Sequence, residues 1–217
     1  MNSVVHDSQS GFFSSLRSLL RERDPREHCE LCGAGLQSDH QHLLDPATRK
    51  LMCTCNACVV LFHSHGDTKY KRVPCRLRRL RNFRLTDVQW NELMIPIGMA
   101  FFLKNDVEGR VLALYPSPAG ATESTSSLTA WDDIVRDNPI LDTMEPDVEA
   151  LLANRLGDAG EERNGEYYLV PIDKCYELVG LIRTNWRGLS GGTEVWQEIR
   201  SFFDGLNARA VWESANA

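Results

Sequence analysis

The sequence predicts an α+β protein in two parts: a zinc ribbon-like or treble-clef-like metal module, then a mixed α+β domain with a β-hairpin and several helices. Two observations predict it. Four of the seven cysteines stand as Cys29-Glu-Leu-Cys32 and, 22 residues on, Cys55-Asn-Ala-Cys58. Past Leu85 the pattern changes to short β-rich runs interleaved with segments of helical period. With 42% hydrophobic residues in 217, the chain can bury a core.

Residues 1–27 place Phe12, Phe13, Leu16, Leu19 and Leu20 at helical spacing before Arg21, Arg23 and Arg26, a short amphipathic segment expected to pack on its own protein. Residues 28–84 hold the metal module and a basic connector. A CxxC turn presents two thiolates from one short loop, and Gly33 suits the tight knuckle because that position often needs positive φ. Between the pairs, His42–Asp45, Pro46–Arg49 and Lys50–Cys53 read as strand, turn and strand, a hairpin that brings a second knuckle back to the first.

Eight of the 24 Lys and Arg lie between Lys69 and Arg84, alternating with Val73, Leu77, Leu80 and Phe83, so one edge is apolar and the other cationic. That edge suits nucleic acid, an acidic partner, or the chain's own acidic second half. A net charge of −6 weighs against nucleic acid.

Residues 85–217 form the α+β domain. Thr86-Asp87-Val88-Gln89 reads as a capping box opening a helix that Pro96 ends. Ile97–Leu103 and Arg110–Tyr115 read as a hairpin around Asn105–Gly109, terminated by Pro116–Gly120. Leu128–Val135, Pro146–Leu156, Asp173–Trp186 and Thr193–Ala210 read as helices, with Glu166–Pro171 a strand. In the loop Trp186–Gly192, Ser190 or Thr193 is the expected helix cap, and Glu123, Asp132, Asp133 and Glu149 read as solvated helix-end charges. No apolar run reaches the roughly 18 residues that span a bilayer. The N-terminus lacks the features of a secretory signal, which makes the cytoplasm the expected compartment and reduced, metal-binding cysteines the consistent reading.

Long strings of the chain carry a resemblance: Cys29-Glu-Leu-Cys32-Gly33, His42-Leu-Leu-Asp-Pro-Ala-Thr-Arg49, Cys53-Thr-Cys55-Asn-Ala-Cys58, Leu114-Tyr-Pro-Ser-Pro-Ala-Gly-Ala-Thr-Glu123, Pro171-Ile-Asp-Lys-Cys175-Tyr-Glu-Leu-Val-Gly-Leu-Ile-Arg183 and Trp186-Arg-Gly-Leu-Ser-Gly-Gly192. From Cys29 to Ala210 the sequence resembles an uncharacterised bacterial family associated with gene clusters of actinobacterial-type, high-affinity nickel-iron hydrogenases. The resemblance implies a hydrogenase accessory role, in assembly, maturation or electron handling, with a hydrogenase subunit or maturation factor as partner. It names no catalytic residue.

Chemistry must therefore be read from the ligands themselves. Cys29, Cys32, Cys55 and Cys58 make a closed four-sulfur site, which argues for structure over catalysis and for zinc; iron at the same cysteines would make a rubredoxin-like electron carrier. Cys53 is two residues from Cys55, and His40 with His42, like His63 with His65, share a face by period two. Cys53, His40 and His42 are the additional ligand candidates, competing with the plainer reading of hydrogen-bonded histidines beside a single ion. His28 reads as exposed or outside the ligand set, and Cys75 and Cys175 as inert thiols. The order CxxC, His40-Gln-His42, CxxC with Asn56 also resembles zinc-stapled HNH nucleases, but only 12 residues separate His42 from Cys55 and the downstream asparagine-and-histidine helix is missing.

Overall fold

Short ladders, antiparallel in all but one pairing, build a small sheet and a large one. The computed structural model describes residues 27–63, 69–124, 131–156, 165–188 and 190–216. The amphipathic segment expected over 1–27 lies outside them apart from Glu27, as does His65.

Strands β1 (Gln41–Asp45) and β2 (Lys50–Thr54) form the expected hairpin, with Gln41 opposite Thr54 and Asp45 opposite Lys50. Asp45 Oδ1 accepts the Ala47 N–H at 3.1 Å, and Arg49 closes the turn at φ 56°, so a side chain rather than a glycine organises this corner. Helix α1 (Asn56–His63) follows directly, and β3 (Lys71–Arg72) pairs with the free edge of β1 to give the order β2-β1-β3. Leu43, Met52 and Val59 are its small core, with Leu31 and Tyr70 packed against them.

The large sheet runs β10-β4-β9-β8-β5-β6-β7, using β4 (Arg78–Arg81), β5 (Met99–Asn105), β6 (Arg110–Ser117), β7 (Gly120–Glu123), β8 (Glu149–Asn154), β9 (Glu166–Pro171) and β10 (Val211–Ser214). All pairings are antiparallel except β10 with β4. Helices α4 (Ile172–Asn185) and α5 (Gly192–Arg209), both near their expected bounds, cover one face, burying Leu178, Ile182, Val195, Phe202 and Leu206 with Phe101, Leu152 and Tyr168. The other face packs Phe102, Leu151 and Leu169 against Trp131 and Ile134 of α3 (Trp131–Asp137), the 3-10 turn Pro139–Thr143, and Leu93 beside α2 (Asp87–Glu92). The capping box at α2 is present in both directions, Thr86 Oγ1 accepting from Gln89 N–H and Gln89 Oε1 from Thr86 N–H.

Several expectations are corrected. Pro146–Leu156 is not a helix, because its centre is β8, buried on both faces in mid-sheet, and a strand apolar on both sides carries no period of two. Pro116–Gly120 does not end the sheet: β6 runs on to Ser117 and β7 returns along it. The β5 ladder stops at Leu114, so Pro116 lies past it and its missing N–H costs no bond there. Neither Ser190 nor Thr193 caps α5, since the cap is Gly191 at φ 87° with no side-chain bond. The basic connector, grouped by sequence with the module up to residue 84, gives its last strand, β4, to the large sheet.

Glu149 departs furthest from its solvated reading. Its side chain is fully buried and faces the basic connector: Arg76 grips it through Nε–Oε1 at 2.7 Å and Nη2–Oε2 at 2.9 Å, and Arg78 Nη2 stands 3.3 Å from Oε1. Arg76 also reaches Glu145, Arg79 pairs with Glu166 at 2.6 Å, and Lys71 bridges Asp106 at 2.5 Å and Asp147 at 2.7 Å. The cationic edge therefore meets the chain's own acidic half. Burial opposes charge on Glu149, but Arg76, the Glu145 N–H and Arg78 outweigh it and hold the carboxyl below the usual carboxylate range.

Because the folded pKa is depressed, this stabilisation is complete above about pH 4.5 and is lost as pH falls through the lower folded value. Glu149→Gln leaves two guanidinium groups facing a neutral amide, which costs about 3 kcal/mol at pH 7. Urea unfolding from pH 7 to pH 3 measures both effects: the variant starts lower and shows a shallower acid limb.

Candidate metal centre

The knuckle begins as the sequence predicts. Cys29 N–H donates to Ala34 O, and Gly33 N–H returns to Cys29 O, both at 2.8 Å, which forces Gly33 to φ 76°. Glu30 then staples the knuckle to β2: its N–H donates to Cys53 O at 2.9 Å, its Oε1 accepts from Cys53 N–H at 3.0 Å, and its Oε2 pairs with Lys50 at 2.7 Å. The second cysteine pair is not a second knuckle. Cys55 follows the last residue of β2 and Cys58 lies in the first turn of α1, where Val59 N–H reaches back to Cys55 O at 3.1 Å.

The four sulfurs of Cys29, Cys32, Cys55 and Cys58 all lie within 4.8 Å of one another, and Cys32 Sγ is 3.7 Å from Cys55 Sγ. A tetrahedral ion with 2.3 Å bonds needs sulfurs about 3.8 Å apart. All four cysteines are free thiols. Cys29 and Cys58 are buried, Cys55 is half-buried and Cys32 is exposed.

Their acidities explain what such a set accepts. Burial works against ionising Cys29, yet the N–H groups of Cys55, Cys32 and Leu31 outweigh it and bring its pKa down to about 6. At Cys58 burial pushes the thiol strongly up, and hydrogen bonds to the other three sulfurs hold its proton. Left alone, Cys29 ionises readily while Cys32 and Cys58 resist ionisation. A cation supplies the positive charge that lets the others ionise, so these residues can hold a metal ion.

A second group lies beside the first. Cys53 stands opposite His42 in the β1–β2 ladder, and the His40 ring lies tilted at 57° to that of His42, with ring centroids 4.8 Å apart. One ligand atom from each of His40, His42 and Cys53 lies within 4.8 Å of the others. The hairpin thus separates Cys53 from the four-sulfur set. His42 Nδ1 is 3.1 Å from Asp173 Oδ2 at the start of α4, a partner that nothing in the local sequence signals. Among the other candidates, His63 ends α1, Cys75 is exposed, taking a hydrogen bond from Gln41 Nε2 at 3.4 Å, and Cys175 is buried in the main core, where burial raises its thiol well above the ordinary value.

A family model described as a family of unknown function, DUF5947, matches residues 28–210. The chain belongs to the DUF5947 family. The matched span takes in both cysteine pairs, His40, His42 and the whole large sheet up to β10. No curated protein and no solved structure matches this DUF5947 chain. Among its described residues no helix is long and apolar enough to cross a membrane.

Two measurements check the centre. Elemental analysis of Cys55→Ser is expected to show the four-sulfur ion lost, with the knuckle and α1 losing amide protection before the large sheet does, because binding energy at such a site is folding energy. Gly33→Ala meets no atom within 4 Å of its new Cβ, so its cost is the backbone's alone, about 1 kcal/mol by denaturant unfolding of the metal-loaded protein.

Proposed function

We propose that this DUF5947 protein is a non-catalytic accessory factor for assembly or maturation of a nickel-iron hydrogenase, acting by protein contact through a module built around structural zinc. The observation that carries it is the closed set of four sulfurs, which uses every position of a tetrahedral ion and leaves none for substrate. Knuckle, hairpin and helix in that order support a treble-clef-like module over a ribbon-like one. Its helix α1 presents Val60, Leu61 and Phe62 exposed, an apolar stretch suited to a protein partner. The hydrogenase connection rests on the resemblance of the sequence strings described above.

One observation favours a second reading. Cys32 is exposed at the edge of the cluster, where an electron could leave, so iron at the same cysteines would serve as a rubredoxin-like carrier. Visible absorption separates the two: a ferric four-sulfur centre is coloured and a zinc one is colourless. Affinity capture from cells producing the hydrogenase tests the accessory role, with a hydrogenase subunit or maturation factor as the expected co-purified protein. Capture of neither, from cells with active hydrogenase, defeats the proposal.

A further inference from the structure

The cluster of His40, His42 and Cys53 has features that a pair of surface histidines lacks. The His40 side chain is only 8% exposed, and its Nδ1 lies 2.9 Å from the Gln37 carbonyl oxygen. A carbonyl only accepts, so in the neutral imidazole Nδ1 carries the proton and Nε2 a bare lone pair. That Nε2 is buried and has no hydrogen-bond partner among the described residues. An orphaned buried acceptor is costly, and its presence points to something that completes it.

His42 shows the same arrangement by another route. With Asp173 Oδ2 3.1 Å from its Nδ1, the proton is drawn to that nitrogen and Nε2 is left for a ligand. Carboxylate or carbonyl on one ring nitrogen, metal on the other, is the usual outer-sphere support of a metal-bound histidine. The third member is a thiol fixed by the ladder, opposite His42 on β2. Its backbone N–H is taken by Glu30, which pins Cys53 in place without using its sulfur.

We propose that His40, His42 and Cys53 form a second metal site, separate from the four-sulfur set, for a late first-row divalent ion. Two imidazoles and a thiolate suit zinc and its neighbours and not magnesium or calcium, whose ligands are oxygens. Three protein ligands leave a fourth position open. His40 and His42 line a cleft of about 890 Å³ between the small sheet and the large one, whose walls also include Cys75, Arg76 and Asp173. The open position faces this cleft, so the ion takes an exchangeable water or small anion there. The site stands independently of the proposed hydrogenase role and of whichever metal fills the four cysteines.

Untagged full-length protein, stripped of metal under reducing, anaerobic conditions, is titrated with Co²⁺ alone, and bound ions per chain are counted together with the visible spectrum. The unaltered chain is expected to bind two ions, and His40→Ala/His42→Ala one, keeping the four-thiolate spectrum. Cys55→Ser is expected to disturb the other ion while the second remains. Asp173→Asn, which keeps every direct ligand, is expected to weaken the second site about 10–100-fold. If the double variant misfolds by circular dichroism, Cys53→Ala replaces it and must also lose the second ion. One ion in the unaltered chain, lost in Cys55→Ser and kept without His40 and His42, overturns the second site while leaving the four-sulfur site intact. Two ions retained by the histidine or Cys53 variants overturn it as well.

Discussion

The register of the β1–β2 hairpin is the constraint on which both cysteine groups depend. Five paired residues carry the chain from Gln41 to Asp45 and back from Lys50 to Thr54, and the corner is locked by Asp45 and Arg49. In this register Cys53 faces His42, and the chain leaves β2 beside the knuckle with Cys55 next and Cys58 one helical turn later. A slip of one residue would turn Cys53 to the other face of the sheet and carry Cys55 away from Cys29. Glu30 reinforces that register from outside, because both its backbone and its carboxylate hold Cys53. The placement of these cysteine and histidine side chains is thus fixed by backbone hydrogen bonds.

Electrostatics joins the small sheet to the large one. Lys71 leaves β3 to reach Asp106 and Asp147 beyond the ends of β5 and β8, and Arg76 reaches Glu145 and Glu149. His42 to Asp173 is a third link, and Leu44 and Val73 extend the main core beneath the small sheet. Buried or half-buried charges need their partners, so these pairs specify how the two sheets meet more than they add to stability. A segment rich in arginine in a chain of net charge −6 is a structural seam here.

Much of this was legible in the sequence, and the failures have physical causes. Local signals were reliable: the two cysteine pairs, the positive φ of Gly33, the capping box at Thr86, the β5–β6 hairpin and the long helices α4 and α5 each follow from a few neighbouring residues. The strand β8 was misread because Ala150–Ala153 are buried on both faces, which erases the alternation that marks a strand. Glu149 was misread with it, since only the fold brings Arg76 and Arg78 to its carboxylate. The pairing of His42 with Asp173 was invisible for the same reason: it joins a hairpin near one end of the chain to a helix near the other. The sharing of a face by His40 and His42 was readable from period two, whereas the burial of His40 was not.

The position of β4 has a consequence for how the chain is made. It lies between β9 and β10, whose residues are synthesised roughly 90 and 130 positions later, so at 5–20 residues per second its edges stay unsatisfied for several seconds on the ribosome. The hairpin and α1 can close as soon as they emerge, while Arg78–Arg81 wait in the open. Four residues carrying three arginines are a poor template for stray strand pairing, and their mutual repulsion keeps nascent chains apart until the last strand arrives.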